Sequence, residues 1–426
     1  MKKFVVAICV AIQACLIPVV TEAAQPTHLS PENLWPSDFR AFVSRLVEKH
    51  QLSLLGRKSV ARAQSQANVL DQPIANPELE LSGTNRDTDV QPNGEKPEAE
   101  RSREIGISLT TDFGIKQSIQ RQLGLKEVAI AEQISIGRRL DVAGQVISSL
   151  AAFYATDEEA KLASRQEHVM GQFIKQAHAL RNSGETNATD LTLAKLALAD
   201  TARTVLEAKG RFDQATLDLQ ALCQCNLSSL PKLPKKLPAF RKPDFDKVIE
   251  ALPSIRASEI AVERAALEIK LAKAERIPDP TFSINGGTEG KARFISLGLS
   301  VPLPVLRSGS AEVVAAESAF TEAEQEKLAE SFVRKRQAIS SFQNYDLARR
   351  SYELWEAQNF GSIEEQSKLL NRLWRAGEIG ATEYLVKIKE TIEATKNGAR
   401  LKGQAWAALS QWLIHSNQLQ NFLGEN

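Results

Sequence analysis

No proline occurs between residues 98 and 230, or between 305 and 426, of this 426-residue chain. Proline costs about 3 kcal/mol in a helix interior. Its absence over such lengths, in stretches rich in Ala, Leu, Glu, Lys, Gln and Arg, predicts long helices. Each stretch breaks once, at Gly184 and at Gly377, where glycine gives the backbone freedom to turn. Thr189-Asp190 and Thr382-Glu383 then stand where a returning helix can start. The outgoing helix of each pair is expected to run about 70 residues, roughly 100 Å at 1.5 Å per residue. Helices of that length make a rod or a tube rather than one compact globule.

The returning helices carry regular apolar seams. Leu191, Ala194, Leu198, Thr201, Val205, Ala208, Phe212, Ala215, Leu219 and Leu222 step by three and four. Leu385, Ile388, Ile392, Thr395, Ala399, Lys402, Trp406, Leu409 and Leu413 do the same, with Thr395 and Lys402 as polar lapses. Such spacing marks coiled-coil packing.

The chain also repeats itself. Asn76-Pro77-Glu78-Leu79-Glu80-Leu81-Ser82-Gly83 returns as Asp279-Pro280-Thr281-Phe282-Ser283-Ile284-Asn285-Gly286, and Ile105-Gly106-Ile107-Ser108-Leu109 as Leu297-Gly298-Leu299-Ser300-Val301. The turn segment beginning Gly184-Glu185 returns as Gly377-Glu378, 193 positions later. Pro231, Pro234, Pro238 and Pro243, with Lys232, Lys235 and Lys236, separate the copies. The expected division is a signal peptide at 1–23, a first repeat at 24–225, a Pro-rich linker at 226–246, a second repeat at 247–415 and a tail at 416–426. The first repeat would hold a strand hairpin near 76–111 and a helical hairpin near 113–225, the second a strand hairpin near 279–303 and a helical hairpin near 309–415.

Four short segments change period from helical to alternating. Leu79 and Leu81 oppose Glu78, Glu80 and Ser82; Ile105, Ile107 and Leu109 oppose Glu104, Gly106, Ser108 and Thr110. Phe282 and Ile284 oppose Thr281, Ser283 and Asn285; Ile295, Leu297, Leu299 and Val301 oppose Ser296, Gly298 and Ser300. A soluble sheet lying on a core gives this pattern, and so does a lipid-facing barrel with a wet interior. Strands of about ten residues can cross a bilayer with tilt. Four cannot enclose a channel, and an open edge is not viable in lipid, so a barrel would have to be completed by further copies. Three copies would supply twelve strands.

Lys2 and Lys3, an apolar run from Phe4 to Val20 and the small-residue site Thr21-Glu22-Ala23 describe a cleavable secretory signal. Cleavage after Ala23 removes two lysines and one glutamate from a chain of net charge +1, leaving no net charge. Nothing in this balance suits nucleic acid. Cleavage also leaves only Cys223 and Cys225, which support no disulfide framework. They read as two small residues at a helix end or as a thiolate pair for a soft metal, for which the five His and two Met provide no further cluster. His28, His50, His168, His178 and His415 are scattered and default to polar surface roles. No phosphate loop, metal-ligand spacing or nucleophile motif points to an enzyme, a catalytic site or a cofactor.

Taken in order, Asn76-Pro77-Glu78 and Pro278-Asp279-Pro280 opening the strand pairs, Val301-Pro302-Leu303-Pro304 closing the second, and the duplicated Gly184 and Gly377 turns resemble the TolC-type outer membrane factors. The resemblance implies a mainly α fold with a membrane β-barrel part. Internally duplicated helical hairpins would form a periplasmic α-barrel, and four strands per subunit a shared twelve-stranded outer-membrane barrel. It implies a homotrimer in outer-membrane lipid, working with a periplasmic adaptor (membrane fusion protein) and an inner-membrane RND transporter, without nucleic acid. The stretches Pro278-Asp279-Pro280-Thr281-Phe282 and Pro302-Leu303-Pro304 are most similar to the cobalt-zinc-cadmium resistance, CzcC-like, branch. That implies passage of heavy-metal cations through a wide duct that does not bind them. By position, Gly184, Ala188, Thr189, Asp190, Gly377, Ala381, Thr382 and Glu383 would form the periplasmic tip and adaptor contact. Asp190 and Glu383 would also serve as helix-start carboxylates, a compatible role.

Glu78, Glu80 and Glu104 are candidate lumen acids if the alternation holds, and ordinary solvated charges if they lie at a rim. The loop from Thr84 to Arg103, with Pro92, Asn93, Gly94 and Pro97, is expected to be extracellular. Two other readings share these features in whole or part: an outer membrane factor for drug efflux or type I secretion, and a periplasmic coiled-coil scaffold or adaptor whose four alternating segments form a soluble domain.

Overall fold

The structure, a computed structural model, describes residues 36–87, 99–113, 115–182, 188–223, 227, 230–234, 236–305, 308–358 and 363–423. The expected signal peptide, Gly184 and most of the Thr84–Arg103 loop lie outside these residues. In chain order the elements are α1 (Ser37–Lys49), α2 (Gln51–Leu70), β1 (Glu78–Asp87), β2 (Ala99–Thr110), α3 (Ile115–Asn182), α4 (Ala188–Cys223), α5 (Phe245–Glu250), α6 (Pro253–Glu275), β3 (Thr281–Glu289), β4 (Ala292–Ser300), α7 (Ser310–Ala357), α8 (Ile363–Arg375), α9 (Ala381–His415) and α10 (Gln418–Leu423).

Helix α3 runs 68 residues without a break, about 100 Å. The second outgoing helix departs from its expected length. It is divided into α7, of 48 residues, and α8, of 13. Asn359, Gly361 and Ser362 between them are poor helix formers, a local signal that the proline pattern overrode.

Both returning helices bury their predicted seams. In α4, Leu191, Ala194, Thr201, Val205, Ala208, Ala215 and Leu219 are buried, and Leu198, Phe212 and Leu222 partly so. In α9, Ile388, Ile392, Trp406, Leu409 and Leu413 are buried, while Thr395 and Lys402 are only half-buried. The seam is broader than its spacing suggested. Tyr384, Lys396, Gly398, Ala405 and Trp412 are buried beside it. Lys396 Nζ is satisfied there by Glu393 at 2.7 Å and by Gln166 of α3 at 3.1 Å.

The main core gathers both repeats around α3. Phe39 and Val43 of α1, Val146, Ile147 and Leu150 of α3, Leu219 of α4, Tyr345 of α7 and Trp406 and Trp412 of α9 share one cluster. Leu233, Leu237 and Phe240 from the Pro-rich stretch pack on it. Tyr154 donates to the carbonyl of Pro231 at 3.0 Å, and Tyr345 donates to that of Pro238. The C-terminal residues also fold inward, with Leu419 fully buried and Asn417 donating to the Ala251 carbonyl at 3.0 Å.

Two expectations from small clusters need correction. Cys223 is buried at the end of α4 and is disulfide-bonded, while the other three cysteines lie outside the described residues. Cys223 therefore does not read as an unlinked small residue. Nor are all the histidines surface groups: His50 caps α2 by accepting from the Leu52 amide, and His415 is half-buried, its pKa lowered by that burial and by Arg334.

The strands form one antiparallel sheet in the order β1-β2-β3-β4. The two copies therefore join through β2 and β3, where Ile107 faces Ile284 and Leu109 faces Phe282. Glu289 pairs with Ala292 around a two-residue turn, and Gly290 there takes φ 57°, a left-handed conformation that suits such hairpins. At the opposite end, Lys116 Nζ binds Asp279 at 2.6 Å and the Ile277 carbonyl at 2.8 Å. This ties the start of α3 to the start of the second strand pair.

Close helix approach depends on Gly398. A Cβ there would stand 2.1 Å from the ring of Trp355, whose Nε1 donates to the Ala394 carbonyl at 3.0 Å. Gly398→Ala should destabilise the chain by about 1–3 kcal/mol through overpacking. Trp355→Leu in the same background should restore part of the loss in a thermal melt.

Candidate functional site

Two regions combine exposure with an unusual arrangement: the sheet and the end of the helical hairpins. On the sheet, residue alternation and register place Leu79, Leu81, Ile105, Ile107, Leu109, Phe282, Ile284, Ile295, Leu297 and Leu299 on one face. All are exposed, Leu81 by 70%, Ile295 by 83% and Leu297 by 80%. Burying this face would be worth on the order of 10 kcal/mol, comparable with the net stability of a whole domain. An apolar surface this continuous marks a contact with a partner or a membrane.

The opposite face is polar apart from Phe294, and crowded. A Cβ added at Gly106 would lie 2.0 Å from Asn285 Oδ1, and one at Gly298 would lie 2.3 Å from Ser283 Oγ. On the apolar face, a Cβ at Gly83 or Gly286 meets nothing nearer than 3.9 or 3.7 Å. At these positions the polar side is crowded and the apolar side has room. Glu78, Glu80 and Glu104 belong to the polar face. They occupy three successive rows, beginning one row beyond Thr110 and Thr281, opposite Ser108, Gly106 and Ser82 respectively. The Ser82 hydroxyl donates to Glu104 at 3.3 Å.

At the hairpin end, α8 closes in a Schellman turn. Gly377 adopts φ 73°, its amide donates to the Trp374 carbonyl at 3.0 Å, and the Glu378 amide donates to that of Leu373 at 3.0 Å. A side chain would be strained at that φ, which explains the glycine. The N-cap of α9 is Gly380, which supplies no side-chain cap. Glu383 instead pairs with Lys387 at 3.3 Å, so it serves the positive helix end without the capping bond expected of it. Thr382, Glu383 and Thr189 are exposed, whereas Ala381 is buried among apolar neighbours. Gly184 lies outside the described residues, and Ala188 opens α4.

An aromatic cluster unseen in the seam pattern holds the two hairpins together near this end. Phe173 of α3 lies 4.5 Å from the ring of Trp374 on α8 and 4.8 Å from that of Tyr384 on α9. Burial raises the Tyr384 pKa. The signal available in sequence was only the scarcity of aromatics, 6% of the chain, which makes three at one level informative in retrospect. A polar tie between the hairpins accompanies the cluster: Lys389 of α9 binds Asp200 of α4 at 3.2 Å.

Asp200 has its pKa lowered by hydrogen bonds from Arg203 and Lys389. A depressed carboxyl pKa contributes stability above the ordinary carboxylate range, and that contribution disappears as pH falls through the depressed value. The melting-temperature gap between the protein and Asp200→Asn should therefore stay constant from neutral to about pH 5 and close only below the usual carboxylate range.

No family model matches the chain, and no curated protein does. Solved structures do. A membrane protein from Pseudomonas aeruginosa superposes with a TM-score of 0.75 at 16% identity, over 89% of this chain and 93% of that one. The CusC structures, described for folding and transmembrane channel formation, give 0.71 at 14% identity, over 90% and 92%. The Campylobacter jejuni CmeC outer membrane channel gives 0.71 at 13% identity, over 91% and 90%. Over nearly its whole described length, this chain has the fold of outer-membrane channel subunits: duplicated helical hairpins carrying a four-stranded antiparallel sheet.

Proposed function

We propose that three copies of this chain form an outer-membrane duct, twelve strands closing a barrel in the lipid and the helical hairpins continuing it into the periplasm. The observation that carries this reading is the sheet, whose one face is apolar and exposed, whose other face is largely polar and whose edge strands β1 and β4 each have one side unpaired among the described residues. Lipid would cover the first, water would fill the second and neighbouring copies would pair the third. The duct is passive, with no catalytic residue, and Glu78, Glu80 and Glu104 would bias its lumen toward cations.

The turns at Gly184 and Gly377, with Ala188, Thr189, Asp190, Ala381, Thr382 and Glu383, form the periplasmic tip in this proposal. The exposed Thr189, Thr382 and Glu383 would meet the adaptor, and the buried Ala381 would position them. An RND pump would feed the adaptor, and the cargo would be heavy-metal cations. The cargo assignment is supported by the likeness of the Pro-Asp-Pro-Thr-Phe and Pro-Leu-Pro stretches to cobalt-zinc-cadmium resistance factors.

Fractionation and planar-bilayer recording test the duct together. The protein should require detergent for extraction and should raise ion conductance. Trp374→Ala, which removes one of the two aromatic contacts that Phe173 makes across the hairpins, should raise conductance further. A protein extracted without detergent and silent in the bilayer would make the sheet a soluble domain. In cells lacking the gene, lost tolerance to cobalt, zinc or cadmium salts is the expected result; unchanged metal tolerance with lost drug tolerance would reassign the cargo.

A further inference from the structure

The apolar face of the sheet ends differently at its two ends. Toward the helices it passes from Leu109 and Leu299 to exposed Phe113, Leu303 and Val305. Toward the β3–β4 turn it ends in arginine. Register places Arg103, Thr288 and Arg293 in one row across β2, β3 and β4, directly beyond Ile105 and Ile295 on the same face, with Arg101 one row further. Neighbouring strands lie about 4.8 Å apart and alternate residues about 6.7 Å apart. The three guanidinium groups therefore fall within reach of one another. All three residues are exposed, and no ion pair or side-chain hydrogen bond engages them among the described residues. Asp87, a further row out opposite Ala99, is the carboxylate that register puts on this face.

We propose that Arg101, Arg103 and Arg293 bind the phosphate groups of phosphorylated glycolipid in the outer leaflet. The proposal rests on the duct reading, which puts the turn end of the sheet at the outer surface. Charge complementarity and position carry it. Guanidinium forks match phosphate bidentately, and long basic side chains at the border of an apolar band reach the headgroup level while their stems stay in hydrocarbon. A phosphate attached to an acyl chain engages both parts of this surface at once: the arginines hold its charge while Ile105, Ile295 and Leu297 cover its chain. Free phosphate could use only the first.

The test uses the full chain extracted in mild detergent and the variant Arg101→Gln/Arg103→Gln/Arg293→Gln. Thermal melting is followed after adding phosphorylated lipid A, the same lipid without its phosphates, or inorganic phosphate. The phosphorylated lipid should raise the wild-type midpoint, the other two additions should not, and the variant should lose most of the shift. An equal shift in the variant, no shift in the wild type, or a shift reproduced by inorganic phosphate or by the dephosphorylated lipid overturns the assignment. Conductance of the same variant separates the two readings. A conducting variant with an unchanged lipid response removes the arginine site and leaves the duct standing, whereas a wild type that neither conducts nor needs detergent removes the duct itself.

Discussion

A four-stranded antiparallel sheet with one exposed apolar face and two open edges is left incomplete among the described residues of the chain that carries it. Its edge strands each present a row of unpaired backbone groups, and its exposed face would leave on the order of 10 kcal/mol of burial unrealised in water. The glycines at 106, 287 and 298 leave no room for a side chain on the other face, and larger residues there would push neighbouring side chains or strands apart. The rest of the architecture holds this sheet at one end of long helices and the tight turn at Gly377 at the other.

Helix α3 is the member on which both ends depend. Its start is tied to the second strand pair through Lys116 and Asp279, its middle contributes Val146, Ile147 and Leu150 to the main core, and its far end supplies Phe173 to the aromatic cluster. The two repeats are thus joined at three levels. The joints differ in kind: an ion pair under the sheet, a broad apolar core at mid-length and stacked aromatics with salt bridges near the turns.

Much of this was legible in the residues. Period-two alternation named the strand faces, the three-four spacing named the seams of α4 and α9, and glycine marked the turn at 377. Each of these is a local rule with a strong backbone or burial consequence, so one chain suffices to read it. What escaped depends on contacts between distant segments. Phe173, Trp374 and Tyr384 meet only after three helices converge. The packing of Leu233, Leu237 and Phe240 contradicts the loose look of a proline-rich stretch, because the main core lies directly beneath it. The break between α7 and α8 was missed because absent proline was given more weight than Asn359 and Gly361. Glu383 looked like a cap and instead pairs with Lys387, since Gly380 had already taken the N-cap position.

Closure of the sheet by neighbouring copies is the central claim, and disulfide cross-linking between the two edge strands tests it most directly. Within one chain β1 and β4 are three strand spacings apart, about 14 Å, too far for a disulfide. Cysteines placed at Glu80 or Ser82 on β1 and at Ser296 or Ser300 on β4, tried as pairs to cover the possible registers, can therefore join only between copies. The account predicts that oxidation of the membrane-embedded protein gives a ladder ending at the covalent trimer for at least one pair. Monomer at every register, with the same cysteines open to a small thiol reagent, would contradict it.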